Sequence, residues 1–120
     1  MDHLYRVVPA SHWDQALRSG SVPRCAADTR LDRVHLNKRE DVELVANLWF
    51  TPEEQPVVLE VEVASLADHI RWEARESAPD GVWPNLYMPA IPARNVVRVI
   101  GLEHLTESDG RSVFRLSSAT

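Results

Sequence analysis

Cysteine is nearly absent: Cys25 stands alone, so no internal disulfide can form and a reducing compartment is expected. Long apolar runs are missing too. None approaches the ~20 residues that span a bilayer, and the start, MDHLYRVVPASHWD, lacks a basic segment followed by an apolar one. A cytoplasmic location, with no secretory signal and no membrane partner, is the expectation. Glycine is scarce, with four in the chain and none close together, which removes a glycine-rich phosphate loop. The five histidines (3, 12, 35, 69 and 104) include no i, i+4 pair and have no cysteine beside them, so no metal site is expected. A positive charge excess is also lacking. Thirteen basic residues face 18 acidic ones, net −5, which argues against general nucleic-acid binding.

What is present fits one α+β domain. The 120 residues, 44% hydrophobic and 26% charged, suffice for a single core without staples. That domain is read as 1–120, with its core at about 3–104, a C-terminal strand at 111–116 and a frayed tail at 117–120. Charge is uneven along it. Between Arg18 and Arg39 six basic residues (Arg18, Arg24, Arg30, Arg33, Lys38, Arg39) oppose only Asp28 and Asp32. Such a segment is either a receptor for a small anion, a phosphate ester or nucleotide, or a solvated arginine-rich loop.

Periodicity places the elements. LYRVV (4–8) reads as a strand ended by Pro9. Trp13, Ala16 and Leu17 at helical spacing predict a short helix over 12–19, capped by Ser11 and stopped by Gly20. The next stretch, SVPRCAADTRLD, has no periodicity and reads as a loop, and RVHL as a short strand. Asn37 and Glu40 have capping-box spacing, with an apolar stripe of Val42, Val45, Ala46 and Trp49 behind them. VVLEVEV (57–63) alternates as a half-buried antiparallel strand does, with Glu60 and Glu62 on a wet face. SLADHI reads as one helical turn and RWEARE as a strand. APDGVWPNLYMPAIP is extended, and the strand at 96–105 pairs with 111–116 across TESDG.

Few residues invite chemistry. Cys25 lies near arginines that lower a thiol pKa, yet with no base in sight it reads as inert. His35, on a short strand, is either packed or faces a ligand. Glu73 follows Trp72, and a carboxyl buried beside an indole would have a raised pKa. Arg6 and Arg71, on or beside strands, are either paired or free to bind an anion.

Taken in order, LYRVVPASHWDQALRSG, RVHLN, VVLEVEVASLADHIRWE and WPNLYMPA resemble the bacterial family known as domain of unknown function nine-five-two, over about residues 3–104. That family carries Tyr-His near the start, Phe-Ile-His-Leu-Ser, a Trp-Glu pair and Phe-Pro-His-Leu-Tyr. This chain departs from it at Asn37, where serine is usual, at Asn85, where histidine is usual, and at Arg6, where histidine is common. More distantly, Leu4-Tyr5-Arg6, the helix ending at Gly20, Val34-His35-Leu36-Asn37, Val57-Val58-Leu59 and Gly81-Val82-Trp83 are similar to the catalytic half of RNA 2′-phosphotransferases. Those enzymes use NAD on an ADP-ribosyltransferase fold.

The resemblance implies an ADP-ribosyltransferase-like fold of split antiparallel sheets with two short N-terminal helices, and NAD as cofactor. It puts Tyr5 and Arg6 on the first strand of a nicotinamide-nucleotide cleft, and His35 and Asn37 on the second. Trp72, Glu73, Asn85 and Tyr87 come from later strands. Glu73, with His35, would be catalytic, its carboxylate stabilising the oxocarbenium-like transition state as nicotinamide leaves. The phosphotransferases' basic N-terminal lobe has no counterpart here, and their arginine before Val-His-Leu falls on Leu31, so RNA 2′-phosphate removal is not expected. Three readings remain: an ADP-ribosyl transferase or hydrolase, or a non-catalytic nucleotide sensor; a module that binds a small molecule or peptide without turnover, which Asn37 and Asn85 favour; and an assembly subunit presenting Trp83, Pro84 and Tyr87 to a protein partner.

Overall fold

The computed structural model describes residues 3–75 and 78–117. Its strands are β1 (His3–Val8), β2 (Ser21–Val22), β3 (Val34–His35), β4 (Val57–Glu62), β5 (Ile70–Arg75), β6 (Ala78–Leu86), β7 (Ile91–Pro92), β8 (Val96–Thr106) and β9 (Ser112–Leu116). The helices are α1 (Ala10–Ser19), α2 (Ala26–Leu31) and α3 (Val42–Trp49), so the α+β expectation holds with three helices rather than two. Every pairing is antiparallel. β1-β4-β8-β9 form one sheet, β3-β6-β5 a second, and β2-β7 a short ribbon. The two larger sheets meet at one bridge, in which Tyr5 and Asn37 exchange backbone hydrogen bonds of 2.8 and 2.7 Å.

The strand alternation explains the two cores. On β1 and β4, Leu4, Val8, Leu59 and Val61 face one way and meet Val34, Leu36 and Leu86 of the second sheet. Tyr5, Val7 and Val58 face the other way and are covered by Val42 and Ala46 of α3, with Ile100 and Phe114. β4 is therefore covered on both faces along its middle, with Glu62 partly exposed at its end. Glu60 is buried beside Val58, and its carboxylate takes hydrogen bonds from His3 Nδ1 (2.6 Å) and Arg98 Nε (3.1 Å). Alternation alone cannot show that a helix returns to cover the second face. Arg6 shares the Leu4 and Val8 face, which turns it toward the second sheet.

Three local expectations are corrected. α1 begins at Ala10 after Pro9, with no side-chain cap, so Ser11 lies inside the first turn rather than capping it. Its predicted stop is right: Gly20 is left-handed (φ 88°) and its N–H bonds Ala16 O at 2.8 Å. Asn37 does not open a helix. Its backbone is spent on the bridge to Tyr5, and the chain enters α3 through a 3-10 turn at Arg39–Asp41. The stretch read as a loop contains α2, and its N-terminus is organised by Asp28, whose Oδ2 accepts the Cys25 N–H at 3.1 Å. At the other end, the Ser117 N–H still bonds Gly101 O, while tail residues 118–120, like 76 and 77, lie outside the described residues.

Candidate arginine-lined cleft

At the junction of the two sheets, α2 and the C-terminal end of α3 enclose a cleft of about 970 Å³. Five arginines line it: Arg6 from β1, Arg24 and Arg30 from the α2 region, Arg33 before β3, and Arg75 from β5. His12, Cys25, His35, Asn37 and Asn85 add polar atoms, and Glu54 is the acidic member of the lining. The remaining wall is apolar, built from Pro9, Val45, Trp49 and Phe50 among others. Trp49 was expected in the helix stripe that packs on the sheet. It is instead 66% exposed, because the buried face of α3 is carried by Val42 and Ala46.

The floor is organised by Asp28, which is fully buried. Arg6 grips it with both terminal nitrogens, Nη1 to Oδ1 at 3.2 Å and Nη2 to Oδ2 at 2.5 Å. His35 Nδ1 sits 2.7 Å from Oδ1, and the His35 and Cys25 backbone N–H groups donate to the same carboxylate at 3.1 Å. Burial alone would push this carboxyl upward. The hydrogen bond from His35 and the guanidinium of Arg6 outweigh it and hold the group well below the usual carboxylate range. The ionised carboxylate fixes the proton of His35 on Nδ1 and leaves Nε2 as the other ring nitrogen, with the side chain 16% exposed at the cleft.

The sign of the resulting pH dependence follows directly. A depressed folded pKa gives stability that is complete above the unfolded value, about 3.9, and is lost as pH falls toward the folded one. The wild type should therefore lose stability steeply below about pH 4. Asp28→Asn should be less stable at neutral pH and have a flatter acid limb, as denaturant midpoints between pH 7 and 2.5 would read. Parallel curves for the two proteins would refute the assignment.

Arg75 also lines the cleft. Its Nη2 donates to the carbonyls of Leu36 (2.6 Å) and Pro84 (3.1 Å), and its guanidinium lies over the Trp83 ring at 5.2 Å. Burial, then the charge of Arg6, pushes its pKa down to about 10, so it stays a cation at neutral pH.

Residues 7–99 match the family described as protein of unknown function DUF952. The chain belongs to that family. The matched span of this DUF952 member holds Asp28, His35, Asn37, Arg75 and Asn85, with Arg6 one residue before it. The crystal structure of protein CC0527 from Caulobacter crescentus is similar to it, with 26% identity over 94% of this chain and 93% of that one and a TM-score of 0.76. The solution structure of CC0527 gives 27% identity, 92% and 90% coverage, and a TM-score of 0.72. No curated protein matches the chain.

Of the residues singled out in this DUF952 chain, Arg6, His35, Asn37 and Asn85 do line one cleft. Glu73 is one step behind it. Its carboxylate accepts from Tyr87 Oη (2.5 Å) and Asn85 Nδ2 (2.9 Å), with Arg33 at 3.8 Å, and the side chain is 34% exposed. Those hydrogen bonds, Tyr87 first, lower its pKa, against the rise expected from a neighbouring indole. Trp72 is exposed on β5 and does not shield it. Tyr5 points into the α3 core, and Tyr87 lies in a side groove, held by Arg33 and stacked by Arg71 at 5.0 Å. Pro84 is buried and Trp83 half-buried under Arg75, which removes most of the aromatic interface imagined for that segment. Asp28 and Arg75 went unnoticed in the sequence. Cys25-Ala-Ala-Asp28 carries a helix-start spacing that would have found the first. Arg75, two residues after Glu73 on a strand, was legible only as alternation.

Proposed function

We propose that this cleft binds a small phosphorylated nucleotide of the NAD or ADP-ribose type. One observation carries the reading: five arginines converge on a cleft with an exposed tryptophan and a phenylalanine, in a chain of net charge −5. Guanidinium groups suit phosphate oxygens, and an indole gives a base a surface to stack on. An ADP-ribosyltransferase-like fold is part of the proposal, supported by two antiparallel sheets that meet along β1 and Asn37.

Binding without turnover is favoured over ADP-ribosyl transfer or hydrolysis. Transfer needs a carboxylate free to meet the ribose, and Glu73 is engaged by Tyr87 and Asn85 outside the lining. Glu73→Gln should accordingly leave affinity for ADP-ribose unchanged. NAD consumption by the wild type that this variant abolishes would restore the catalytic reading.

The test is an amide NMR titration of the labelled protein with NAD and with ADP-ribose. Shifts centred on Arg6, His35, Asn85 and Trp49 are expected, and their absence at millimolar ligand would overturn the proposal. Trp49→Ala adds a quantitative check. Stability should move by no more than ~0.5 kcal/mol, since the side chain is exposed. Affinity should fall roughly fivefold or more, as loss of base stacking of ~1–3 kcal/mol requires.

A further inference from the structure

We infer that the floor of the cleft is a subsite for a terminal phosphate monoester, held by Arg75 and Asn37 beside His35. This rests on the cleft being a nucleotide site and narrows its ligand to a nucleotide with a terminal phosphate, such as AMP, for which NAD and ADP-ribose, whose phosphates are internal, are weaker stand-ins. Among the described residues no carboxylate lies within ion-pair distance of Arg75; its acceptors are two backbone carbonyls and, at 3.5 Å, the Oδ1 atoms of Asn37 and Asn85. Arg6 repels Arg75 most, Asp28 and Asp41 attract it and Arg33 repels it more weakly, and Asp28 is already shared between Arg6 and His35. A half-buried guanidinium without a direct counter-ion is costly to keep, and an anionic ligand is what offsets that cost.

The donor count points the same way. The Nε atoms of Arg6, Arg24, Arg33 and Arg75 are all buried without an acceptor, and all four residues line this cleft. Asn85 spends its Nδ2 on Glu73, whereas Asn37 Nδ2 has no acceptor among the described residues. Among the described residues, donors without a partner thus outnumber acceptors without one, Asp41 Oδ2 being the acceptor, although those Nε atoms lie beneath the cleft surface. A phosphate monoester, with three peripheral oxygens and up to two charges, matches that surplus better than a carboxylate.

The shape selects a terminal group. Behind Arg75 the floor is closed by Leu36, Asn37, Pro84 and Asn85, all buried where β3, β6 and the Tyr5–Asn37 bridge meet. A terminal phosphate can turn three oxygens toward that buried corner. The diphosphate of NAD is flanked by a ribose on each side and cannot present its oxygens that way.

The experiment follows the arginine Nε–Hε and asparagine side-chain signals of the wild-type protein during titration with inorganic phosphate, AMP, ribose 5-phosphate and NAD. Phosphate alone should shift Arg75 Nε–Hε and the Asn37 amide, and AMP should bind roughly tenfold or more tighter than NAD. Arg75→Gln should bring AMP down to the affinity of NAD. Should that variant fail to fold, the wild-type spectra still decide. Equal binding of AMP and NAD with Arg75 unmoved overturns the subsite and leaves the cleft reading standing. Ribose 5-phosphate binding as tightly as AMP keeps the subsite and overturns the nucleotide. No shift from any of the four overturns both.

Discussion

Asp28→Ala should destabilise the protein by about 3–5 kcal/mol, the range for removing one partner of a buried ion pair. The truncation strands several groups at once. Arg6 keeps a buried charge with no counter-ion, His35 Nδ1 loses its acceptor, and the backbone N–H groups of Cys25 and His35 are left unpaired. Domains of this size have about 5–15 kcal/mol in total, so the loss is a substantial part of that margin. Urea unfolding measures the loss. A double variant, Arg6→Met with Asp28→Leu, gives a sharper test. Replacing a buried ion pair by apolar groups is often neutral, but here the His35 and Cys25 donors would still lack acceptors. Partial recovery is therefore expected. Full recovery would mean that the Arg6 charge was the whole cost, and no recovery that the backbone and imidazole bonds were.

Leu59→Ala should cost about 2–5 kcal/mol, as large-to-small changes in a rigid core do. Leu59 is fully buried on β4, paired with Arg6 on one side and Val99 on the other. Its side chain belongs to the cluster that joins Leu36 and Leu86 of the second sheet to the first. A cavity there can collapse little, because strands close it on both sides. The loss should also loosen the register that brings Arg6 to Asp28, so amide exchange near His35 should quicken with global unfolding. A cost below about 1 kcal/mol would show that the two sheets are held together elsewhere.

Much of the fold was legible because strand alternation and turn chemistry are local. The strands expected at 4–8, 57–63, 96–105 and 111–116 appear within a residue of those bounds, with the hairpin across TESDG and the stop at Gly20. The errors came where tertiary contacts overrode a local preference. Asn37 and Glu40 have the spacing of a capping box, but the backbone of Asn37 makes a better bargain by bridging to Tyr5 from the far end of the chain order. Glu60 looked solvent-facing, but His3 and Arg98 close over its carboxylate. α2 carries too few apolar residues for a periodic signal, and Asp28 anchors it from inside.

The sequence by itself determined an α+β domain, the family and four residues of the cleft, since these follow from composition, period and ordered short motifs. Only the tertiary structure decided that the basic segment from Arg18 onward delivers Arg24, Arg30 and Arg33 to a cleft, that Asp28 ties Arg6 to His35, and that Glu73 stands aside. The physical reason is distance along the chain. Asp28 meets Arg6 across 22 residues, and Arg75 meets Leu36 across 39. No local pattern encodes such pairs; they exist only once two sheets have closed on one another.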